Sequence, residues 1–209
     1  MRVLMATDLH GAGRVLDAIP AAVREHRADL FLAVGDITDF GRPRGYAKDL
    51  IGRVPVPTLA VPGNCDPPSV MRELDGLGVD LHMRKTMIQG LTFVGLGGAN
   101  PTPFGTPFEL SEEEIGRTLD RTMERGAILV SHAPPNGFVD VVRSGEHVGS
   151  VAVRRIVEEF RPPLVLCGHI HEGRGVAELG PTTIVNPGPA IEGCSALVDL
   201  DGDARVRLL

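Results

Sequence analysis

Side chains that can bind metal ions stand directly after several apolar runs of the sequence. Two histidines one residue apart, His169 and His171, follow the run PLVLCG. In extended backbone, residues i and i+2 point to the same side, so both imidazoles can face one site. The same arrangement recurs with Asp8 and His10 in ATDLH, Asp36 and Asp39 in VGDITD, Asn64 and Asp66 in PGNCD, and His132 in VSHAP. Each motif alone is weak evidence, but their recurrence after successive β-type runs predicts a metal site.

The types of these side chains restrict the ions that they could hold. Carboxylates and imidazoles with one amide oxygen suit Mn²⁺, Fe²⁺, Co²⁺, Ni²⁺ or Zn²⁺, whereas an all-oxygen set would favour Ca²⁺ or Mg²⁺. The candidate ligands are Asp8, His10, Asp36, Asn64, His132, His169 and His171. They are too many for one ion, so we predict two divalent ions that share a carboxylate and a water.

Strands and helices that alternate along the chain would position these side chains. We predict strands in RVLMATD, DLFLAVGD, PTLAVPGN, AILVSHAP and PLVLCGH, a hairpin turning at Gln89-Gly90, and β runs in GVAELG, TTIVNPG and CSALVDLDGDARVRLL, the last turning at Asp201-Gly202. Helices are predicted over 14–25, 42–53, 67–77, 111–126 and about 150–160. Pro20 should kink or shorten the first helix, and Ser111 with Glu114 forms a capping box. The pattern indicates an α/β layered sandwich with the carboxyl ends of its parallel strands at one edge.

The composition limits the class of protein. The 209 residues, 43% of them hydrophobic, are enough to bury a substantial core, and we treat 1–209 as a single domain. A net charge of −6 without clustered Lys and Arg argues against an extended nucleic acid or a membrane surface as partner. Three widely spaced cysteines do not suggest a disulfide framework, and neither a signal-peptide pattern nor a run of 18 apolar residues occurs. These features predict a cytoplasmic protein.

The order of the motifs points to a family. They are, along the chain, Asp8-x-His10, Gly35-Asp36-x-x-Asp39, Gly63-Asn64-x-Asp66, His132 and Gly168-His169-x-His171. Together they resemble the calcineurin-like metallophosphoesterases, in particular the small Icc-like phosphodiesterases of archaea and bacteria, over nearly the whole chain. The resemblance implies a four-layer αββα sandwich of two mixed β-sheets flanked by helices. It also implies a dinuclear centre in which Asp8, His10, Asp36 and His171 hold one ion and Asp36, Asn64, His132 and His169 hold the other.

A dinuclear centre of this kind is suited to phosphate-ester hydrolysis. Two ions roughly 3.5–4 Å apart lower the pKa of a bridging water and offset the charge that develops during in-line displacement. We therefore predict attack of metal-bound hydroxide on a small phosphodiester, with Asp36 and Asn64 among the catalytic residues and no membrane or extended nucleic acid as partner. A homodimer would be unsurprising. The alternative is a catalytically weak or inactive metal-binding scaffold of the same fold, which the complete ligand set weighs against.

One position departs from the pattern of the family. The residue after the asparagine is usually a histidine that assists the leaving group, and here it is Cys65. A thiol donates hydrogen bonds weakly, so a metal-ligated water or another imidazole would have to help. His147 in SGEHVGS is the catalytic candidate, with a solvated loop histidine as the equal alternative. Cys65, Asp39 and Asp66 are expected to orient ligands, and His82 is expected at the surface.

Overall fold

The strands of the protein form two mixed sheets within residues 1–202 and 204–209, the part of the chain that the computed structural model describes. In chain order they are β1 (Arg2–Ala6), β2 (Leu30–Val34), β3 (Thr58–Val61), β4 (Lys85–Ile88), β5 (Leu91–Leu96), β6 (Ile128–Ser131), β7 (Leu164–Leu166), β8 (Gly175–Leu179), β9 (Thr182–Asn186), β10 (Ala196–Asp199) and β11 (Arg205–Leu208). The first sheet has the order β11-β10-β1-β2-β3 and the second β4-β5-β6-β7-β9-β8. The predicted fold class is confirmed.

The strands that precede the candidate ligands are parallel within each sheet. In the first sheet β1 pairs with β2 and β2 with β3. In the second sheet the parallel pairs are β5 with β6, β6 with β7 and β7 with β9. Parallel neighbours end on the same edge of a sheet, so the loops that follow them are brought together.

Helices cover the outer face of each sheet. They are α1 (Val15–Glu25), α2 (Tyr46–Ile51), α3 (Pro68–Gly76), α4 (Glu112–Thr122) and α5 (Val151–Phe160). Alternate residues of β1 show the layering, because Leu4 packs in a cluster with α1, α2 and α3 whereas Val3 packs with the second sheet. The other face of the second sheet packs against α4 and α5. The inner strands of both sheets are thus buried on two faces, which is why strands such as β2 and β6 are continuous apolar runs.

Some element boundaries differ from the sequence prediction. Helix α1 continues through Pro20 to Glu25, so the expected shortening did not occur; Ile19, Pro20 and Val23 are all buried on the packed face. That packing offsets the backbone hydrogen bond that the proline removes. Helix α2 begins at Tyr46 because Gly45 before it has a φ of +76°.

The predicted hairpin turn at Gln89-Gly90 and the predicted start of α4 are confirmed, and the predicted end of α4 is corrected. Gln89 and Gly90 both have positive φ between the antiparallel strands β4 and β5, as a two-residue hairpin requires. The capping box of Ser111 and Glu114 opens α4, but the helix ends at Thr122 and not at Gly126. Strands β10 and β11, one on each side of the predicted turn at Asp201-Gly202, pair antiparallel, and Asp203 of that predicted run lies outside the described residues.

Among the helices in the described ranges, none combines the length and the apolarity that crossing a bilayer would need.

His82 lies in the interior and not at the surface. His82 is only 9% exposed, and its Nδ1 accepts a hydrogen bond from the backbone N–H of Gly97 at 2.8 Å. The ring packs edge to face on Phe108, with ring centroids 5.1 Å apart. Burial, with the nearby charge of Arg84, lowers the pKa of His82 to about 4. The sequence VDLHMR around His82 mixes apolar and charged residues and gave no sign of this environment.

The depressed pKa of His82 predicts a loss of stability in mild acid. The unfolded chain binds a proton near pH 6.5 whereas the folded chain resists it to about pH 4, so the free energy of unfolding falls as the pH drops through this window. His82→Asn keeps an acceptor for Gly97 but cannot titrate. Between pH 7.5 and pH 4, the free energy of unfolding of this variant should therefore fall by about 3 kcal/mol less than that of the wild type. Urea titrations of both proteins across this range measure the difference, and parallel curves would contradict the prediction.

Candidate metal centre

The candidate ligands lie in the loops that follow β1, β2, β3, β6 and β7. Backbone hydrogen bonds join these loops within each sheet, from Asp8 N to the Gly35 carbonyl at 3.1 Å and from Gly168 N to the His132 carbonyl at 3.0 Å. A third bond joins the two sheets, because the backbone N–H of His169 donates to Asp8 Oδ2 at 3.0 Å. The structure therefore brings both sets of strand ends to one place.

Several candidate ligands hold a backbone conformation that favours glycine. Asp8, His10, Asp36 and His169 have φ values of +55°, +46°, +46° and +68°. Each such residue costs of order 1–3 kcal/mol and persists only where the surroundings fix it. The backbone N–H groups of Leu9 and His10 both donate to the Asp36 carbonyl at 2.9 Å, which supplies such a restraint. Strain concentrated on these residues marks the loops as a functional site.

Asp36 lies at the middle of the cluster and is 3% exposed. Its Oδ1 is 3.5 Å from His132 Nε2, and its Oδ2 is 3.8 Å from His10 Nε2. Oδ1 also accepts a hydrogen bond from the backbone N–H of Cys65 at 2.8 Å. A Cβ on Gly63 would overlap the Asp36 carboxylate, so the turn that carries Asn64 must begin with glycine.

The hydrogen bond of His132 through Nδ1 leaves Nε2 as the nitrogen that faces the cluster. Its Nδ1 lies 2.9 Å from the Val34 carbonyl, which can only accept, so Nδ1 carries the proton. In the neutral ring Nε2 is then an acceptor, and it faces Asn64 Oδ1 at 3.0 Å. Two acceptors at this distance repel each other unless a cation or a second ring proton lies between them. A metal-binding histidine is commonly oriented through its other nitrogen in this way.

A chain of hydrogen bonds fixes the orientation of the Asn64 amide. Its Nδ2 donates to Thr106 Oγ1 at 3.1 Å, and that hydroxyl donates to Glu109 Oε1 at 2.7 Å. Although burial opposes it, hydrogen bonds from Thr102 and Thr106 lower the pKa of Glu109 to about 2, so Glu109 remains an acceptor. Asn64 Oδ1 is consequently the amide atom that points to His132.

Asp8 contributes a buried oxygen with no partner. Its Oδ2 accepts from the Thr7 hydroxyl at 2.8 Å, but Oδ1 has no hydrogen bond within the described part of the chain. His171 Nε2 lies 3.4 Å from Oδ1. Burial alone would raise the pKa of Asp8, but His171 and His132 hold it below its usual range. An ionised oxygen of this kind is suited to a cation.

The remaining imidazoles complete two adjacent groups of donors. Asp8, His10 and His171 offer atoms that all lie within 4.8 Å of one another, as do Asp8, Asp36 and His132. His169 packs beside His132, with ring centroids 5.1 Å apart. Burial, reinforced by His132, lowers the pKa of His169 to about 4, which keeps the ring neutral and able to coordinate. The donor set thus fits borderline divalent ions.

Asp66 holds the loops after β2 and β3 together. Its carboxylate accepts from the backbone N–H groups of Gly63 at 2.8 Å, Ile37 at 2.9 Å and Thr38 at 2.9 Å, and from the Thr38 hydroxyl at 2.7 Å. Burial, with the charge of Asp36, raises the pKa of Asp66 to about 6. This carboxylate acts on the site through the backbone that it anchors.

Asp39 and Cys65 differ in their relation to the cluster. Asp39 is exposed, and across residues 1–202 and 204–209 its side chain forms no hydrogen bond or ion pair with a candidate ligand. The thiol of Cys65 lies close to donor atoms of His10 and Asp36. Burial and the charge of Asp36 raise the pKa of Cys65, so the sulfur stays protonated and is unsuited to nucleophilic attack.

His147 lies beside the centre and not within it. It lines a cavity of about 830 Å³ whose walls also include His169, His171 and Phe104. The loop over 97–107 supplies part of this wall and also carries Thr106. Sequence reasoning missed Thr7, Thr106, Glu109 and Asp140, which hold candidate residues in place. Short threonine–carboxylate spacings are too common in loops to have identified them.

Known proteins resemble this chain over most of its length. A model of the family described as calcineurin-like phosphoesterase matches residues 1–173. An uncharacterized protein of Methanocaldococcus jannaschii is 40% identical over 199 residues, which are 90% of this chain and 88% of that protein. A probable cyclic nucleotide phosphodiesterase of Synechococcus is 25% identical over 172 residues, covering 76% and 66% of the two chains. The structure of a dimetal phosphatase from Danio rerio has a TM-score of 0.71 at 16% identity, covering 100% of this chain and 95% of that chain, which shows a common fold.

The contacts of Asp66 predict a large loss of stability in Asp66→Ala. The substitution leaves buried N–H groups of both loops without an acceptor, so the free energy of unfolding should fall by about 3 kcal/mol or more. Asp39→Ala, in the same region but exposed, should change it by less than about 0.5 kcal/mol. Urea denaturation of the metal-free proteins measures both values. Similar values for the two variants would show that Asp66 does not anchor these loops.

Proposed function

Because the family model covers most of its length, the chain belongs to the calcineurin-like phosphoesterase family, and we propose that it is a dinuclear metal-dependent hydrolase of small phosphodiesters. The observation that carries the proposal is the convergence of lone-pair donors around Asp36. Carboxylate oxygens, imidazole nitrogens and an oriented amide oxygen from both sheets meet there. Such a donor set has no evident use without a cation.

The proposal assigns the ligands to two adjacent ions. One would be held by Asp8, His10 and His171, and the other by Asn64, His132 and His169, with Asp36 shared. The first group is supported by the mutual proximity of its atoms, and the shared role by the separation of the two Asp36 oxygens toward His10 and His132. Two divalent ions, when bound, supply a nucleophilic water at neutral pH and positive charge beside the phosphate.

Residues of the chain prepare these ligands before any ion arrives. The Val34 carbonyl holds the proton of His132 on Nδ1, which leaves Nε2 free to coordinate. The Thr106 hydroxyl turns the oxygen of Asn64 toward the same point. Thr7 and the backbone N–H of His169 hold one oxygen of Asp8, so the other faces His171. Preorganisation of this kind lowers the cost of binding an ion in a fixed geometry.

A diester is favoured over a monoester because of the space beside the centre. The cavity of about 830 Å³ adjoins His169 and His171, and Pro101, Phe104 and Val142 contribute apolar surface to its walls. A diester carries a second organic group that such a cavity can accommodate, whereas a simple monoester would leave it without use. The similarity to a probable cyclic nucleotide phosphodiesterase agrees with this preference.

Hydrolysis of two model esters tests the proposal. Metal-stripped protein should be inactive, and Mn²⁺, Ni²⁺, Co²⁺ or Zn²⁺ should restore cleavage of bis-p-nitrophenyl phosphate in preference to p-nitrophenyl phosphate. Asp36→Asn should lower this turnover by more than about 100-fold and reduce the bound metal, because the shared ligand is lost. Asp17→Asn, on the exposed side of α1, serves as the matched control and should retain wild-type turnover.

Each alternative gives a different result in the same experiment. Preferential cleavage of p-nitrophenyl phosphate would contradict the diester assignment. Two bound ions without turnover of either ester would favour the metal-binding scaffold. Wild-type turnover in Asp36→Asn would contradict the ligand assignment itself.

A further inference from the structure

A buried carboxylate holds the ring of His147 at the wall of the cavity. Asp140 is fully buried, and its Oδ1 lies 2.6 Å from His147 Nδ1. Its other oxygen, Oδ2, accepts from the backbone N–H groups of Gly137 and Gly149, each at 2.9 Å. A hydrogen bond from Val148 N to the Asp140 carbonyl at 3.2 Å closes the loop over 140–148, which carries His147. Asp140 therefore fixes both the loop and the imidazole that it carries.

The hydrogen bond to Asp140 determines which nitrogen of His147 is available. An ionised carboxylate only accepts, so Nδ1 donates to it, and Nε2 is the nitrogen left for a ligand. Across the described ranges Nε2 has no hydrogen-bond partner, and the side chain is 49% exposed. Burying a carboxylate is costly, and orienting a half-exposed histidine with it gives little stability in return. The arrangement is better explained if His147 Nε2 binds or protonates a ligand.

We propose that Asp140 and His147 form a dyad that protonates the leaving group of the diester, and that the adjoining cavity binds this group. The inference rests on the proposed function. His147 is the catalytic residue of the dyad and Asp140 its positioning residue. The cavity that His147 lines also has the candidate ligands His169 and His171 in its walls, so a leaving group bound there would lie beside both the dyad and the proposed ions.

The proton transfer completes an ordinary hydrolysis. A water oxygen forms a bond to phosphorus, and the bond from phosphorus to the ester oxygen breaks with its electron pair on that oxygen. The proton on His147 Nε2 passes to this oxygen, which leaves as a neutral alcohol. The proton that the attacking water gives up returns through solvent to the imidazole. Asp140 holds the ring in orientation for this transfer because its carboxylate is already aligned with Nδ1.

The walls of the cavity indicate the class of leaving group. Phe104 is 83% exposed at its rim, and Pro101, Val142 and Val148 add further apolar surface. A partly apolar organic group of the size of a small ligand fits such a lining. Leaving alcohols that are poor acids need protonation most, so the dyad is suited to unactivated esters such as those of aliphatic or sugar hydroxyls.

Two diesters of the same shape separate proton donation from the other steps. Bis-p-nitrophenyl phosphate releases a phenolate that needs little protonation, whereas diphenyl phosphate releases a much more basic one. In His147→Gln, the ratio of turnover on diphenyl phosphate to that on bis-p-nitrophenyl phosphate should fall on the order of 100-fold. Asp140→Asn should lower the ratio in the same direction. His26→Gln, at the C-terminal end of α1, is the matched histidine control and should leave the ratio unchanged.

A spectroscopic measurement tests the positioning independently of turnover. In protein labelled with ¹⁵N-histidine, His147 should show a protonated, hydrogen-bonded Nδ1 in the wild type, and Asp140→Asn should remove this signature. Its absence in the folded wild type would contradict the dyad. An unchanged ester ratio in His147→Gln would overturn the inference and leave the proposed function intact. A wild type that cleaves neither ester with any metal would overturn both.

Discussion

The structure depends on holding several hydrogen-bond acceptors, all with partial or full negative charge, close together around Asp36. Around Asp36, carboxylate oxygens, an amide oxygen and the acceptor nitrogen of His132 converge within hydrogen-bond or ion-pair distances, although few of them can donate to one another. In the absence of a cation this crowding destabilises the fold, as the unpartnered Asp8 Oδ1 shows most directly. The surrounding protein must therefore supply the restraint that the donors themselves do not. A bound cation would turn the same repulsion into coordination, which couples metal binding to the stability of these loops.

The restraint comes from the αββα architecture. Parallel strands bring loops of each sheet to one edge, and packing between the sheets brings the two edges together. Close approach then depends on small residues: a Cβ on Gly168 would overlap Thr7, and one on Gly35 would overlap His132. Asp66 fastens neighbouring loops of the first sheet, and the bond from His169 N to Asp8 fastens one sheet to the other. The strained backbone conformation of the ligands persists because core packing and these hydrogen bonds restrain it from several directions.

The sequence predicts what is repeated along the chain, and it does not predict contacts between distant loops. Ligand types, strand ends and the turn at Gln89-Gly90 are local patterns, so the fold class and the members of the cluster could be inferred from them. Thr106 acts on Asn64 across 42 residues, and His82 bonds to Gly97 across 15 residues. No local pattern encodes those pairings. Pro20 illustrates the same limit, since tertiary packing overrides its effect on α1.

The charges of the chain bear on how a phosphate ester could be held at the proposed centre. The donors of the centre include buried carboxylates, so the positive charge that a phosphate meets would have to come chiefly from the proposed ions and from imidazoles. Arg143, which lines the cavity, has a side chain that is 91% exposed, and its Nε lies 3.4 Å from a carboxylate oxygen of Glu172. An arginine so solvated and already paired adds little attraction. Under the proposed function, two divalent ions would outweigh the charges of Asp8 and Asp36, so a phosphate ester would be attracted chiefly to the metals. The proposed donation of a proton by His147 would act at the oxygen where the departing group develops negative charge, and positive charge at that atom stabilises the transition state most.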